Sequence, residues 1–195
     1  MIINKELKPG EKIIQEKVAE QLGVSRTPLM KALQTLENEM LVESIPRRGV
    51  YVKSLNLQEL IDVYDCREVL EGMAARKLAE NHDLEDIKKL EACFAAYDLS
   101  EGIDSNKYTA SDELFHKLLI ELVGNVALNK AYFIGNIFSE VVNQGLLRTP
   151  EETLQEHHEI IEAIKNKDTE KAENAARAHI RNSKLILIEQ IKKDK

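Results

Sequence analysis

The chain has 195 residues, 31% of them charged and 43% apolar, with a formal net charge of −7. That size and balance describe a globular protein with room for one large or two smaller domains. No apolar run approaches the roughly 18 residues that span a bilayer, and the N-terminus lacks the basic-then-apolar layout of a signal peptide; both predict a cytoplasmic protein with no membrane partner.

The charge is unevenly divided. Residues 1–54 hold nine Lys or Arg against seven Asp or Glu, whereas residues 55–195 hold 18 against 27. Only the first part can approach DNA without a general electrostatic penalty. Its excess is small, so affinity would depend on clustering at Arg26, Lys31, Arg47, Arg48 and Lys53, and on two copies acting together. Cys66 and Cys93 form no CxxC spacing, which argues against a disulfide or a thiolate metal site; both are expected as small buried hydrophobes.

In chain order, residues 1–7 are short and end at the turn Lys8-Pro9-Gly10. A supporting helix over Gln15–Leu22 turns Val18, Ala19 and Leu22 inward. Gly23 ends it, Ser25 or Thr27 can cap the next helix by accepting a backbone N–H, and Pro28 suits the first turn. Leu29, Leu33 and Leu36 then recur at helical spacing. That leaves Arg26, Thr27, Met30, Lys31 and Gln34 outward. Two short β-prone runs, 42–45 and 50–52, flank Pro46-Arg47-Arg48-Gly49 and read as a hairpin with a basic tip. An amphipathic helix pair is the plain alternative, but a helix-turn-helix followed by such a wing aims two elements at one duplex.

The remainder is helical by pattern. Asn56 is placed to cap a long helix from Leu57 to about Asn81, with Leu57, Leu60, Ile61, Tyr64, Leu70, Ala74 and Leu78 along one stripe. Arg67 falls on that stripe, where a charge must be paired: either it bridges to Glu71 one turn on, or it faces a ligand carboxylate. Further helices are expected over about 83–99, up to Val123, over 126–147, over 150–165 and over 168–191. Six helices with short loops describe an antiparallel bundle.

Asp112 and His116 are four apart and share a face with Leu119 and Val123. His157 lies on the stripe of Leu154, Ile161 and Ile164, while His158 is turned about 100° away. His179 follows Ala172, Ala175 and Ala176. Each histidine alone reads as an ordinary core residue, and His82 stays in that class. Together, three imidazoles and a carboxylate on three inward faces suit one divalent metal ion. No inward Glu or other base stands beside these ligands at a readable spacing.

The string Ala19-Glu20-Gln21-Leu22-Gly23-Val24-Ser25-Arg26-Thr27-Pro28, with Ala32-Leu33, Leu41-Val42 and Arg47-Arg48-Gly49-Val50-Tyr51-Val52, resembles the winged helix of the GntR family of bacterial transcription regulators. The resemblance implies DNA contacts from Ser25, Arg26, Thr27, Met30, Lys31, Arg47, Arg48 and Gly49, and a first helix that is cut short here. Relatives commonly carry Arg where this chain has Met30, an acid where it has Lys31, and a base where it has Glu16. Met30 can meet a thymine methyl but cannot make Arg's bidentate contact to guanine. Residues from about 57 to 192 resemble the FCD domain of the FadR-like branch, through Tyr64-Asp65-Cys66-Arg67-Glu68-Val69-Leu70-Glu71, Asp112-Glu113-Leu114-Phe115-His116, Gly124-Asn125, Thr153-Leu154-Gln155-Glu156-His157 and Ala178-His179-Ile180. In metal-binding members the matching positions are Asp112, His116, His157 and His179, and a small organic acid completes the coordination. Arg67 then moves toward the ligand reading, with Tyr64, Asn182 and Ser183 as further effector contacts.

The expectation is therefore a mainly α protein: a winged helix-turn-helix over residues 1–54, followed over residues 55–195 by an all-α antiparallel bundle of about six helices. It would be a homodimeric, non-enzymatic regulator, acting as a repressor and binding double-stranded operator DNA under control of a small organic acid. Each chain would hold one divalent transition metal, with zinc first and nickel, manganese or iron as alternatives. Two other readings remain: a DNA-binding dimer with a purely structural metal, and a metal-dependent hydrolase.

Overall fold

The structure is a computed structural model that describes residues 1–2, 6–100, 102–133 and 146–193. The described residues form two compact units, one over Met1–Leu60 and one from Ile61 onward.

In the first unit, helix α1 (Gln15–Leu22) ends on Gly23, whose φ of 64° is the left-handed conformation that glycine adopts at low cost. Helix α2 (Arg26–Asn38) follows after a three-residue turn. Ser25 occupies its cap position, but its side chain makes no capping hydrogen bond, contrary to the expectation for Ser25 or Thr27. Strands β1 (Val42–Ile45) and β2 (Gly49–Val52) pair antiparallel with Val42 opposite Val52 and Ile45 opposite Gly49. Lys12 bridges to Tyr51, and the Ile13 amide donates to the Val50 carbonyl at 2.8 Å, so the chain before α1 lies along the wing. Ile13, Val18, Ala19, Leu29, Leu33, Val42, Val50 and Val52 form the buried core. Leu22 is exposed rather than inward.

Helix α3 (Leu57–Glu80) begins at a reciprocal cap in which Asn56 Oδ1 accepts from the Glu59 amide at 2.9 Å and Glu59 accepts from the Asn56 amide at 2.8 Å. In the second unit, α4 (Leu84–Ala92) starts at a capping box between Asp83 and Asp86. It stops well before Leu99, because the chain turns at residues 93–96 while Phe94 is driven into the core. Helix α5 (Ser105–Glu121) is capped by Asp104. Helix α6 is described over residues 126–133, capped by Asn125. Residues 134–145 of the expected fourth bundle helix lie outside the described residues, and Leu146 and Leu147 are not helical. Helix α7 (Pro150–Lys165) begins with the capping box of Thr149 and Glu152, and α8 (Thr169–Lys193) follows after three residues.

Helix α7 packs on α8 and on α4, and α4 also packs on α5. Phe94, Tyr108, Phe115, Leu78, Leu90, Leu119, Ile160 and Ile164 are fully buried among them, each apolar side chain contributing roughly 1.5–3 kcal/mol. Cys93 is buried as expected, whereas Cys66 is exposed, on the outer face of α3. No helix among the described residues is long and apolar enough to cross a membrane.

Candidate metal centre and nucleic-acid interface

Helical spacing sets Asp112 and His116 one turn apart on α5, and the packing of α5, α7 and α8 brings His157 and His179 to the same place. Ligand atoms of the four residues all lie within 4.8 Å of one another. The three histidines are buried, and Asp112 forms the partly exposed side of the cluster.

Hydrogen bonds on the far side of each ring fix which nitrogen is bare. His116 Nδ1 lies 2.5 Å from Glu71 Oε2, and His179 Nδ1 lies 2.7 Å from Glu156 Oε2. A carboxylate only accepts, so both Nδ1 atoms carry hydrogen and donate. His157 is held differently. Thr153 Oγ1 donates to the Thr149 carbonyl at 3.2 Å. The Tyr108 hydroxyl, 2.9 Å away, must then donate to Thr153 and accept from His157 Nδ1, also at 2.9 Å.

In their neutral forms all three rings turn an unprotonated Nε2 toward the cluster. His116 Nε2 and His179 Nε2 are 3.3 Å apart, and His157 Nε2 is 3.4 Å from Asp112 Oδ1. Among the described residues, His157 Nε2 is fully buried with no hydrogen-bond partner. Lone pairs facing one another without hydrogen between them are costly unless a cation sits among them. Burial and the neighbouring imidazoles push His157 well below the usual histidine range, and burial also lowers His179 against the pull of Glu156. Nitrogen and carboxylate donors of this kind, with their outer nitrogens anchored, fit a borderline divalent metal.

The anchoring residues are the part that spacing missed. Glu71 bridges His116 and Arg67, whose Nε lies 2.9 Å from Glu71 Oε1. Burial would raise the Glu71 carboxyl, but His116 and Arg67 outweigh it and hold it at about 2. Glu156 receives His179, both Nη atoms of Arg148 at 2.6 and 2.8 Å, and Asn182 Nδ2 at 2.9 Å. It too is held at about 2, with burial opposing the hydrogen bonds from His179, Arg148 and Asn182. The expectation that no inward Glu stands beside the ligands at a readable spacing is thus overturned by Glu71, one turn from Arg67. Both acids orient imidazoles, and the oxygens of each are taken by N–H donors. Glu71 was findable, since a partner one turn from an inward Arg must itself point inward. Glu156 lies off the inner stripe of α7 and gave no such signal.

The remaining candidates fall into place around this layer. Arg67 forms the buried bridge to Glu71, with its guanidinium 5.1 Å from the Tyr64 ring centroid and 6.0 Å from that of Tyr132. Asn182 supports Glu156, while Ser183 Oγ donates to the His179 carbonyl at 3.4 Å within its own helix. His158 is exposed, and His82 Nδ1 lies 2.9 Å from the Leu78 carbonyl.

In the first unit, Ser25, Arg26, Thr27, Met30 and Lys31 are all exposed at the start of α2, and Arg47, Arg48 and Gly49 are exposed at the wing tip. Arg47 has a φ of 64°, a strained position for a side chain other than Gly or Asn, so the tip holds a basic residue at a conformational cost of about 1 kcal/mol. A cleft of about 470 Å³ lies between wing and helices, with Lys12, Arg26, Arg47 and Arg48 on its walls. Glu16 shares the cleft and pairs with Arg26. Lys12 was missed from the sequence because its bridge to Tyr51 is long-range.

Comparison with known proteins matches residues 1–52 to the model of bacterial regulatory proteins of the gntR family and residues 62–182 to that of the FCD domain. The chain is 30% identical over 186 residues to the uncharacterized HTH-type transcriptional regulator YdhC of Bacillus subtilis, covering 92% of this chain and 82% of that one. It is 27% identical over 174 residues to the "Probable D-xylose utilization operon transcriptional repressor" of Paenarthrobacter nicotinovorans, covering 88% and 76%. The solved structure of McbR/YncC from E. coli superposes with a TM-score of 0.75 at 24% identity, covering 97% of this chain and 92% of that one.

Proposed function

The chain belongs to the GntR family of bacterial regulatory proteins, with an FCD domain behind its winged helix, and we propose that this transcription regulator changes its grip on operator DNA when a small organic acid binds at a divalent metal. We assign residues 1–54 to DNA binding and residues 55–195 to the metal and effector. Asp112, His116, His157 and His179 hold the ion, zinc in the first instance. The observation that carries this reading is the meeting of three Nε2 atoms and a carboxylate, above all the buried Nε2 of His157, which has no hydrogen-bond partner among the described residues and faces Asp112 at 3.4 Å.

Bound there, the metal supplies a Lewis-acidic centre for a carboxylate oxygen. Glu71, Glu156 and Tyr108 hold the imidazoles in the tautomer that the metal needs, and Arg67 and Asn182 hold Glu71 and Glu156 in turn. Regulators of this family bind operator DNA and usually dimerise. A homodimer would present two reading helices, with Ser25, Arg26, Thr27, Met30 and Lys31 toward the major groove and Arg47, Arg48 and Gly49 on the wing. The acid must bind two arrangements of the dimer with different affinity to shift either. Loss of operator binding on addition of the acid would make the protein a cytoplasmic repressor of the operon for that acid.

Metal analysis of the purified chain is expected to give one ion per protomer, and His116→Ala combined with His157→Ala is expected to abolish it. Gel-shift titration on the chain's own promoter, with and without organic acids, then tests the switch. Retention of stoichiometric metal by the double variant would end the site assignment, and affinity indifferent to every acid would leave a purely structural ion.

A further inference from the structure

Residues 10–13 run antiparallel beside β2. The Gly10 amide donates to the Val52 carbonyl at 3.0 Å, the Val52 amide to the Glu11 carbonyl at 2.9 Å, and the Ile13 amide to the Val50 carbonyl at 2.8 Å. Ile13 is buried in the core, so strand alternation turns Lys12 to the opposite face. There its side chain passes the wing tip. Lys12 Cε lies 3.2 Å and Nζ 3.8 Å from the point where a side chain at Gly49 would begin, and Nζ stands 6.0 Å from the Tyr51 ring centroid. A Cβ at position 49 would crowd this lysine. Lys12 thus shares the walls of the 470 Å³ cleft with Arg26, Arg47 and Arg48, while Glu16, paired to Arg26, is the one acid among the described lining residues. Four cations against one carboxylate leave the cleft positive.

Lys53 stands in the opposite situation. Its Nζ lies 3.8 Å from Glu43 and 3.6 Å from Glu59, its side chain is only 27% exposed, and it does not line the cleft. Its charge is matched within the protein, between the wing and the first turn of α3. We infer that Lys12, with Arg47 and Arg48, seats a phosphate of the DNA backbone in this cleft, and that Lys53, for all its place in the basic segment, contacts no phosphate. This rests on the operator-binding reading above and extends its contact set. An ammonium on a flexible stem meets a phosphate as a point charge and carries no base preference.

The test measures the affinity of the full chain for its own promoter and for an unrelated duplex by fluorescence anisotropy over a range of salt. Lys12→Gln is expected to lower both affinities by the same factor, about 3–10-fold, and to reduce the slope of log affinity against log salt by about 1 per protomer. Lys12→Arg should restore the slope, and Lys53→Gln should keep it. A slope unmoved by Lys12→Gln overturns the assignment. So does a loss confined to the promoter, which is base reading, or an equal loss of slope in Lys53→Gln, which is a general charge effect. Pyrophosphate titrated into the DNA-free chain separates the other source of a phosphate: submillimolar binding that Lys12→Gln abolishes makes the cleft a seat for a free anion and overturns the duplex assignment. A chain that binds neither duplex overturns the operator-binding reading, and this inference with it.

Discussion

The two polar constellations of this protein are built on opposite plans. On the winged helix, every candidate DNA contact stands in water, and the Arg26–Glu16 pair has side chains 69% and 74% exposed. Such pairs contribute about 0–1 kcal/mol at most. In the helical unit, the Arg67–Glu71 pair is 8% and 1% exposed and is tied onward to a buried imidazole. The first site works by display, and its members can change one at a time while the fold stands. The second works by mutual satisfaction, so each loss leaves another buried group without a partner.

The sharpest way to break that contrast is Glu71→Ala. It leaves Arg67 and His116 Nδ1 buried without an acceptor, and urea denaturation is expected to show a loss of about 3–5 kcal/mol. A loss under about 1 kcal/mol would put this pair in the same class as Arg26–Glu16. Tyr108→Phe should act mainly on metal retention, because it cuts the link from His157 to Thr153. Chelator competition is expected to show zinc affinity lowered about 10-fold or more, and Thr153→Val should do much the same. Arg26→Ala is expected to weaken specific operator binding by about 1–3 kcal/mol without moving the urea midpoint; unchanged specific binding would remove Arg26 from the reading set. The smallest effect belongs to Glu16→Gln, which frees Arg26 from its partner. Gel shifts should show operator affinity rising a few-fold at low salt and the gain fading as salt is raised.

How much of this could be read from the chain depended on the range of the interaction. Capping at Asn56, the stop at Gly23 and the box at Thr149 and Glu152 are local, and their residue types announced them. The inward set of Asp112, His116, His157 and His179 followed from helical periodicity, since each of these residues shares a stripe with core side chains. What periodicity cannot carry is which stripe meets which. Glu71 and His116 are 45 residues apart, and Glu156 reaches His179 from the edge of α7 rather than from its inner stripe. Cys66 went astray for a related reason: α3 is long enough to keep an outer face, and a cysteine there is exposed in the described chain. Ser25 had the right residue type at the right position, yet its hydroxyl does not turn back to the helix.

The hydrogen bonds running from His157 through Tyr108 and Thr153 to the Thr149 carbonyl end on a group that can never donate. With the Thr153 hydroxyl donating to that carbonyl, the chain of bonds runs one way and His157 turns its Nε2 lone pair toward the cluster. Its depressed basicity keeps the ring neutral near pH 7. Loading the centre should thus liberate no proton from this residue, so the heat of metal uptake at neutral pH carries no His157 contribution that varies with the ionisation enthalpy of the buffer.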